Sequence, residues 1–224
     1  NIRIHQDGVA GIDLEKREAT FDELEPLSYD FLVLGLGAEV NFFGVEGAAD
    51  HAFPLYTLAD AVRLKNHVLR TWEKADREPS LIDDGALNIV VVGGGPTGVE
   101  TAGALAELYN GVFRKDYPDI APDRAKITLV EAGDEIFPMF KEDIRAYTEE
   151  ALTKRGVEVE TGEVVKSLTP QRVTLKSGTV LPAHTLVWGA GLQGNALVQS
   201  LGLELQRGNR IGVDEELRIP GHPE

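Results

Sequence analysis

An α/β fold built on a parallel sheet is what this sequence predicts, and three observations predict it. Two short runs, Ile89–Val92 and Ile127–Val130, lack the polar alternation of a half-solvated strand and so read as strands covered on both faces. Between them Val99 to Leu108 is rich in Ala, Leu and Glu, a helical composition. The first run empties into Gly93-Gly94-Gly95-Pro96-Thr97-Gly98. Strand, glycine turn, helix and strand in that order form a βαβ unit.

The remaining elements follow from local pattern. Asn1 to Gly37 reads as short strands broken by turn residues, closing on the apolar run Phe31-Leu32-Val33-Leu34 as the edge of a sheet. Thr57 to about Arg77 reads as an amphipathic helix with Leu58, Val62, Leu69 and Trp72 on one face and a Thr57–Asp60 capping box. Glu78 to Asn88, with Pro79, Ser80, Asp83, Asp84 and Gly85, has the turn chemistry of a linker. Tyr109 to Lys126, with Pro118 and Pro122, is expected to be an extended surface excursion. A second helix, Glu142 to Arg155, should stop at Gly156. Val157–Glu160 alternates as a strand, Val173–Leu175 and Thr179–Leu181 flank the turn Ser177-Gly178 in a β-meander, and Thr185–Trp188 is a further apolar strand.

Composition narrows the function. With 22 Lys+Arg against 37 Asp+Glu the formal charge is −15, a field that repels nucleic acid and anionic lipid. No Cys is present, which excludes a disulfide framework or thiolate chemistry within these residues and suits a cytoplasmic location. No apolar run approaches the roughly 20 residues of a membrane helix. The five His, at positions 5, 51, 67, 184 and 222, show no metal-ligand spacing and are expected at the surface, and no G-x-S-x-G nucleophile motif occurs. A start at Asn1 without initiator Met, and an end in Ile219-Pro220-Gly221-His222-Pro223-Glu224, lead us to expect an internal piece of a longer protein.

A glycine turn between strand and helix aims free backbone N–H groups at an anion, which the helix dipole also favours. In Gly93-x-Gly95-x-x-Gly98 the first glycine permits the tight turn, the second lets a diphosphate approach the backbone, and the third lets helix pack on strand. The bare pattern is weak. With 24 Gly in 224 residues, chance yields about a one-in-four probability of some match, and Gly189-Ala190-Gly191-Leu192-Gln193-Gly194 is a second one. Only Asn195 to Leu201 can be helical after that second match, so it lacks a βαβ unit and reads as a decoy.

After Gly98, by contrast, a full helix leads to Ile127–Val130 and then Glu131, as a Rossmann-like dinucleotide site requires. Glu131 lies further on than the roughly 20 residues expected, an excess that the Tyr109–Lys126 excursion accounts for. A carboxylate there accepts hydrogen bonds from ribose hydroxyls but opposes a 2′-phosphate by about 4 kcal/mol at ~4 Å and an effective dielectric of ~20, roughly three decades of binding. Asp134 and Glu135 add to that repulsion, and Ala132-Gly133 supply no cation, so NADH is the expected ligand. Glu100, just past Gly98, reads either as helix-terminus electrostatics or as a carboxylate near the reacting nicotinamide.

The order of motifs resembles the middle of a pyridine-nucleotide FAD-dependent oxidoreductase, and within that family is most similar to the type II NADH dehydrogenases. The segments that carry the resemblance are Tyr29–Gly37, Gly93–Glu100, Leu129–Gly133 and Val187–Gly191, and it spans nearly the whole chain. It implies a partial FAD-domain segment over 1–56, a connecting helix and linker over 57–87, an NADH-binding domain over 88–190 and a return toward the FAD domain over 191–224. It also implies that Gly189, Ala190 and Gly191 lie beside bound NADH and that Glu100 lies near the hydride-transfer face. The family's N-terminal FAD fingerprint and its Gly-Asp segment lie outside this sequence, so the isolated piece is expected to bind NADH without turnover.

The expected parent moves hydride from NADH to FAD and electrons to a quinone, as a peripheral protein of the cytoplasmic membrane face attached only through a C-terminal part; a homodimer is compatible with the sequence. Two alternatives share the same residues: an FAD-dependent NADH reductase for ferredoxin, rubredoxin, oxygen or a disulfide, and a non-catalytic NADH-sensing module.

Overall fold

The structure, a computed structural model, describes residues 2–222, so the expectations resting on Asn1, Pro223 and Glu224 fall outside it. In chain order the elements are β1 (Val9–Asp13), β2 (Glu18–Phe21), β3 (Leu27–Ser28), β4 (Ala38–Val40), α1 (Ala48–His51), β5 (Phe53–Pro54), α2 (Leu58–Arg77), α3 (Ser80–Asp83) and β6 (Ile89–Val92). Then come α4 (Pro96–Leu108), a π-helical turn (Tyr109–Phe113), α5 (Arg114–Asp116), a 3₁₀ turn (Pro122–Arg124), β7 (Ile127–Val130), α6 (Glu142–Lys154) and β8 (Val157–Glu160). The chain closes with β9 (Val165–Thr169), β10 (Arg172–Leu175), β11 (Val180–Pro182), β12 (Thr185–Trp188), β13 (Leu192–Gly194), α7 (Ala196–Gln199), β14 (Leu205–Gln206) and β15 (Arg210–Ile211).

Two compact units result: Phe42–Gly191 forms one, and the described residues up to Asn41 with those from Leu192 onward form the other. The first holds the predicted parallel sheet, in the order β5-β12-β6-β7-β8. Every residue of β6, β7 and β12 is buried, which is why these strands are continuous apolar runs instead of alternating ones. The meander β9-β10-β11 is antiparallel, as expected. The second unit holds the antiparallel set β1-β2-β3 and the pairs β4–β13 and β14–β15. No helix among the described residues is long and apolar enough to cross a membrane.

Several local expectations are corrected. Phe31–Leu34 is not a strand: none of the described strands pairs with it, and Phe31 and Val33 stand 80% and 93% exposed. A strand exists only where a neighbour completes its ladder. The Thr57–Asp60 capping box closes α2 as predicted, but the buried stripe is Leu64, Val68, Trp72 and Ala75, while Leu58, Val62 and Leu69 are exposed. The helix rotates to bring the Trp72 indole against Tyr109 and Phe113, at ring separations of 4.9 and 4.5 Å.

Those aromatics come from the stretch expected to be a surface excursion. It winds instead: the π turn prolongs α4, and Tyr109, Phe113 and Ile120 are buried in the main core. The Tyr109 hydroxyl donates to the Leu87 carbonyl at 2.8 Å, and burial pushes its pKa well above the usual phenol range. The expected linker is folded too, with α3 inside it and Ala86 and Leu87 buried. Strand β9 escaped the sequence pattern because its buried residues, Val165 and Leu168, do not alternate next to the irregularity in its pairing with β10.

His67 and His184 are not surface groups. The His67 ring packs on Phe53 at 4.4 Å, and its Nε2 lies 3.2 Å from the His184 carbonyl and 3.0 Å from Thr185 Oγ1. Burial pulls the His67 pKa below its ordinary value of 6.5, so the folded protein holds this ring neutral at a pH where the unfolded chain protonates it. Below that value the unfolded state binds the extra proton, and stability falls with falling pH. Urea unfolding between about pH 7.5 and 5.5 is expected to show that loss, and His67→Gln is expected to flatten it.

Candidate functional site

The carboxyl ends of β6, β7 and β12 meet at the glycine turn. The Gly93 N–H extends the ladder to the Val130 carbonyl at 2.9 Å, and Gly93 then turns with φ 110°, a conformation open to glycine and strained for any L side chain. The Gly94 N–H donates to Glu131 Oε2 at 2.5 Å, and its carbonyl accepts the N–H of Phe137 at 2.8 Å. Gly95 is the N-cap of α4, its carbonyl accepting from Val99 N–H at 3.1 Å, and Pro96 occupies the first helical position, where a missing N–H costs nothing.

Three donors remain. Among the described residues, the amides of Gly95, Thr97 and Gly98 have no acceptor, as the first turn of a helix dictates. They sit at the positive end of a 13-residue helix, an arrangement that favours an anion.

The glycines differ in what they exclude. A Cβ on Gly98 would lie 1.8 Å from the Gly93 carbonyl oxygen, so the third glycine is required by the turn's own backbone. A Cβ on Gly94 would come within 2.9 Å of Glu131 Cγ. A Cβ on Gly95 would meet nothing within 4 Å; nothing in the fold requires that glycine, and the space beside it is open to a ligand.

Glu131, half-buried at the end of β7, is where the sequence expects it, one strand over from the turn. Its second oxygen accepts the Gly133 N–H at 2.7 Å. A carboxylate offers about four lone-pair sites, so two bonds leave capacity for further donors. The loop after it is braced by Gly162 N–H to the Gly133 carbonyl at 2.8 Å and Glu163 N–H to the Glu131 carbonyl at 3.0 Å. Ala132 and Asp134 are exposed, and Glu135 is paired with Arg145 of α6 at 3.0 Å. That partner, invisible in the Ala132-Gly133 dipeptide, offsets part of the acidic field the sequence suggests.

Gly189 and Ala190 also reach the turn. The Gly189 N–H donates to the Val92 carbonyl at 2.9 Å, a Cβ on Gly189 would lie 3.2 Å from Gly98 Cα, and one on Gly93 would lie 3.1 Å from Ala190 Cβ. Gly191 follows with φ 69°. Pro96 and Thr97 are exposed. Glu100 stands apart: α4 starts at Pro96 and not at Val99, so Glu100 is in its second turn, exposed, lining a shallow groove toward α6 with Gly103 and Tyr147. The dipole's pull fades beyond the first turn, which weakens a purely helix-terminus role for it.

Phe137 went unread in the sequence. It adopts φ 53° without being glycine, and no composition signal marks such a residue. No cluster of three metal-ligating side chains occurs among the described residues. A cavity of ≈ 410 Å³ lined by Trp72, Phe113, Arg114 and Ile127 lies toward the amino ends of the strands, away from the carboxyl ends where parallel sheets bind ligands.

Comparison with known proteins places the chain in a family. The model of the pyridine nucleotide-disulphide oxidoreductase family matches residues 1–223. The chain is 36% identical over 197 residues to the internal alternative NAD(P)H-ubiquinone oxidoreductase A1, mitochondrial, of Arabidopsis thaliana, covering 87% of this chain and 38% of that protein. It is 31% identical over 234 residues to a probable mitochondrial NADH-ubiquinone oxidoreductase of Schizosaccharomyces pombe, covering 99% and 41%. The fold superposes on NDH2 of Plasmodium falciparum, solved in complex with NADH, with TM-score 0.87 and 26% identity over 98% of this chain and 47% of that one. The chain thus spans about two fifths of the length of these curated relatives.

The distinction between Gly98 and Gly95 is testable without any ligand. Gly98→Ala is expected to lower unfolding stability by about 1–3 kcal/mol, the range for forced overpacking. Gly95→Ala should leave it within about 0.5 kcal/mol, as for a substitution into open space. Denaturant titration of both variants checks the pair.

Proposed function

This chain belongs to the pyridine nucleotide-disulphide oxidoreductase family, and from that premise we propose that it forms the NADH-binding part of a flavoprotein that passes hydride from NADH to FAD and electrons on to a quinone. The observation that carries the reading is the set of three unpaired amides, Gly95, Thr97 and Gly98, at a helix N-terminus beside the acid that ends the next strand.

In this reading the coenzyme diphosphate rests on those amides, each bond to a charged oxygen contributing about 1.5–3 kcal/mol. Gly93 and Gly94 shape the turn, and Pro96 pre-sets the first helical φ. The unused lone pairs of Glu131 accept the ribose hydroxyls, and the small side chain of Ala132 leaves the ribose room. Gly189, Ala190 and Gly191 line the nicotinamide side, where the absence of bulk lets a flat ring approach. Glu100, which makes no ion pair or hydrogen bond among the described residues, supplies a carboxylate toward the reacting end.

The residues described here fit NADH and offer FAD less. Among them only one glycine turn leads into a long helix with an acid one strand over, so no second diphosphate cradle of that kind is built among the described residues. FAD supplies the hydride acceptor in the parent enzyme, and this chain's residues hold and orient the donor.

The domain limits we favour are 88–190 for the NADH-binding domain and 57–87 for its connecting helix, with 42–56 packed into the same unit through β5, and the residues before 42 and after 191 belonging to the FAD side. The parent is a peripheral protein of the cytoplasmic membrane face, where a quinone is within reach.

NADH should bind about three decades more tightly than NADPH at low salt, given roughly 4 kcal/mol of like-charge opposition at Glu131. Glu131→Gln is expected to shrink that ratio to about tenfold or less, because the charge goes while the side chain stays. Equal affinity of the unmodified protein for the two coenzymes removes Glu131 from this role. Steady-state assay of the parent enzyme should show NADH oxidation with a short-chain quinone exceeding that with ferredoxin, rubredoxin, oxygen or a disulfide, and the opposite order redirects the electrons to one of those acceptors.

A further inference from the structure

A trans peptide is planar, so a carbonyl and the N–H of the next residue point opposite ways, and fixing one fixes the other. The loop between β7 and α6 holds two consecutive peptides of the glycine turn in this manner. In the first, the Gly94 N–H donates to Glu131 Oε2, which turns the Gly93 carbonyl away from the loop and toward Gly98. In the second, the Gly94 carbonyl accepts the Phe137 N–H at 2.8 Å, which turns the Gly95 N–H away from the loop. A Cβ on Gly95 would meet nothing within 4 Å.

Phe137 delivers its N–H from φ 53°, a conformation that bulky L residues rarely adopt. Such a conformation persists only where the surroundings over-determine it, and here they do. The preceding Ile136 is 2% exposed, and the Phe137 ring meets Phe140 edge-on at 4.9 Å. The Phe140 N–H returns to the Phe137 carbonyl at 2.9 Å. Arg145 clamps the loop from α6, pairing with Glu135 at 3.0 Å and donating to the Phe140 carbonyl at 3.1 Å.

We infer that Phe137 is a positioning residue for a diphosphate ligand: its backbone N–H, presented by the left-handed conformation, holds the Gly94–Gly95 peptide so that the Gly95 amide faces the ligand's phosphate. This rests on the coenzyme reading above. Phe137 acts through Gly94, and the benefit falls on ligands that carry a diphosphate, not on the nucleoside they share.

The test compares ADP-ribose with adenosine, each titrated into the protein and into Phe137→Pro and Phe137→Gly by NMR chemical-shift mapping. Proline has no N–H and its φ is locked near −65°, so Phe137→Pro is expected to weaken ADP-ribose about ten- to a hundredfold, the loss of one well-aimed bond to a charged group. Adenosine should change by less than about threefold. Glycine keeps the N–H and adopts positive φ freely, so Phe137→Gly should hold ADP-ribose within about threefold of the unmodified protein.

A folded proline variant that binds ADP-ribose normally overturns the inference, as does a glycine variant as weak as the proline one. Where circular dichroism shows the proline variant unfolded, the glycine arm and the exchange rate of the Phe137 amide decide: exchange as fast as in an open loop contradicts the bond to Gly94. Failure of the unmodified protein to bind ADP-ribose at all sinks the coenzyme reading itself. Normal binding with no difference among variants sinks only the role of Phe137.

Discussion

One carboxylate ties the site together. Glu131 ends a strand buried on both faces, so its Cα is fixed by the sheet, and its two oxygens take the N–H groups of Gly94 and Gly133. The glycine turn is therefore referenced to the neighbouring strand and not only to its own. Hydrogen bonds to a charged acceptor contribute about 1.5–3 kcal/mol each, enough to hold a turn that has little side-chain packing of its own. With that anchor in place, the helix-start amides keep a fixed aim, and preorganised donors lose little on binding.

The same carboxylate shapes the turn and, in the proposed reading, meets the ligand, and the glycines around it are correspondingly unequal. Gly93 is required by conformation, Gly98 by the Gly93 carbonyl, and Gly94 by the girth of Glu131. Of the four, Gly95 alone has nothing within 4 Å of where a Cβ would stand, and in the proposed reading that space admits the ligand. Arg145, paired with Glu135 and bonded to the Phe140 carbonyl, steadies the loop that presents both Glu131 and Phe137. The −15 formal charge of the chain disfavours polyanionic partners, and in the proposed reading the three local amides make one spot where a compact diphosphate is held.

Much of this was legible in the sequence because it depends on local chemistry. The continuous runs Ile89–Val92, Ile127–Val130 and Thr185–Trp188 could be covered strands only, the Thr57–Asp60 box could only start a helix, and Gly156 with φ 86° could end one. What failed depends on neighbours. Phe31–Leu34 has strand composition but no partner strand among the described residues. The face of α2 is chosen by Tyr109 and Phe113, residues distant in sequence, and the π turn that carries them reads as a loop because its burial is tertiary. Phe137 is the clearest case: a left-handed phenylalanine is imposed by its surroundings, and no local rule anticipates it.

The most direct examination of this account is a crystal structure of the protein with ADP-ribose. The account predicts diphosphate oxygens within hydrogen-bond distance of the Gly95, Thr97 and Gly98 amides, ribose hydroxyls on Glu131, and a Gly94 carbonyl still bonded to Phe137. Ligand density at another part of the sheet, or a Glu131 side chain swung away from both ribose and turn, contradicts it.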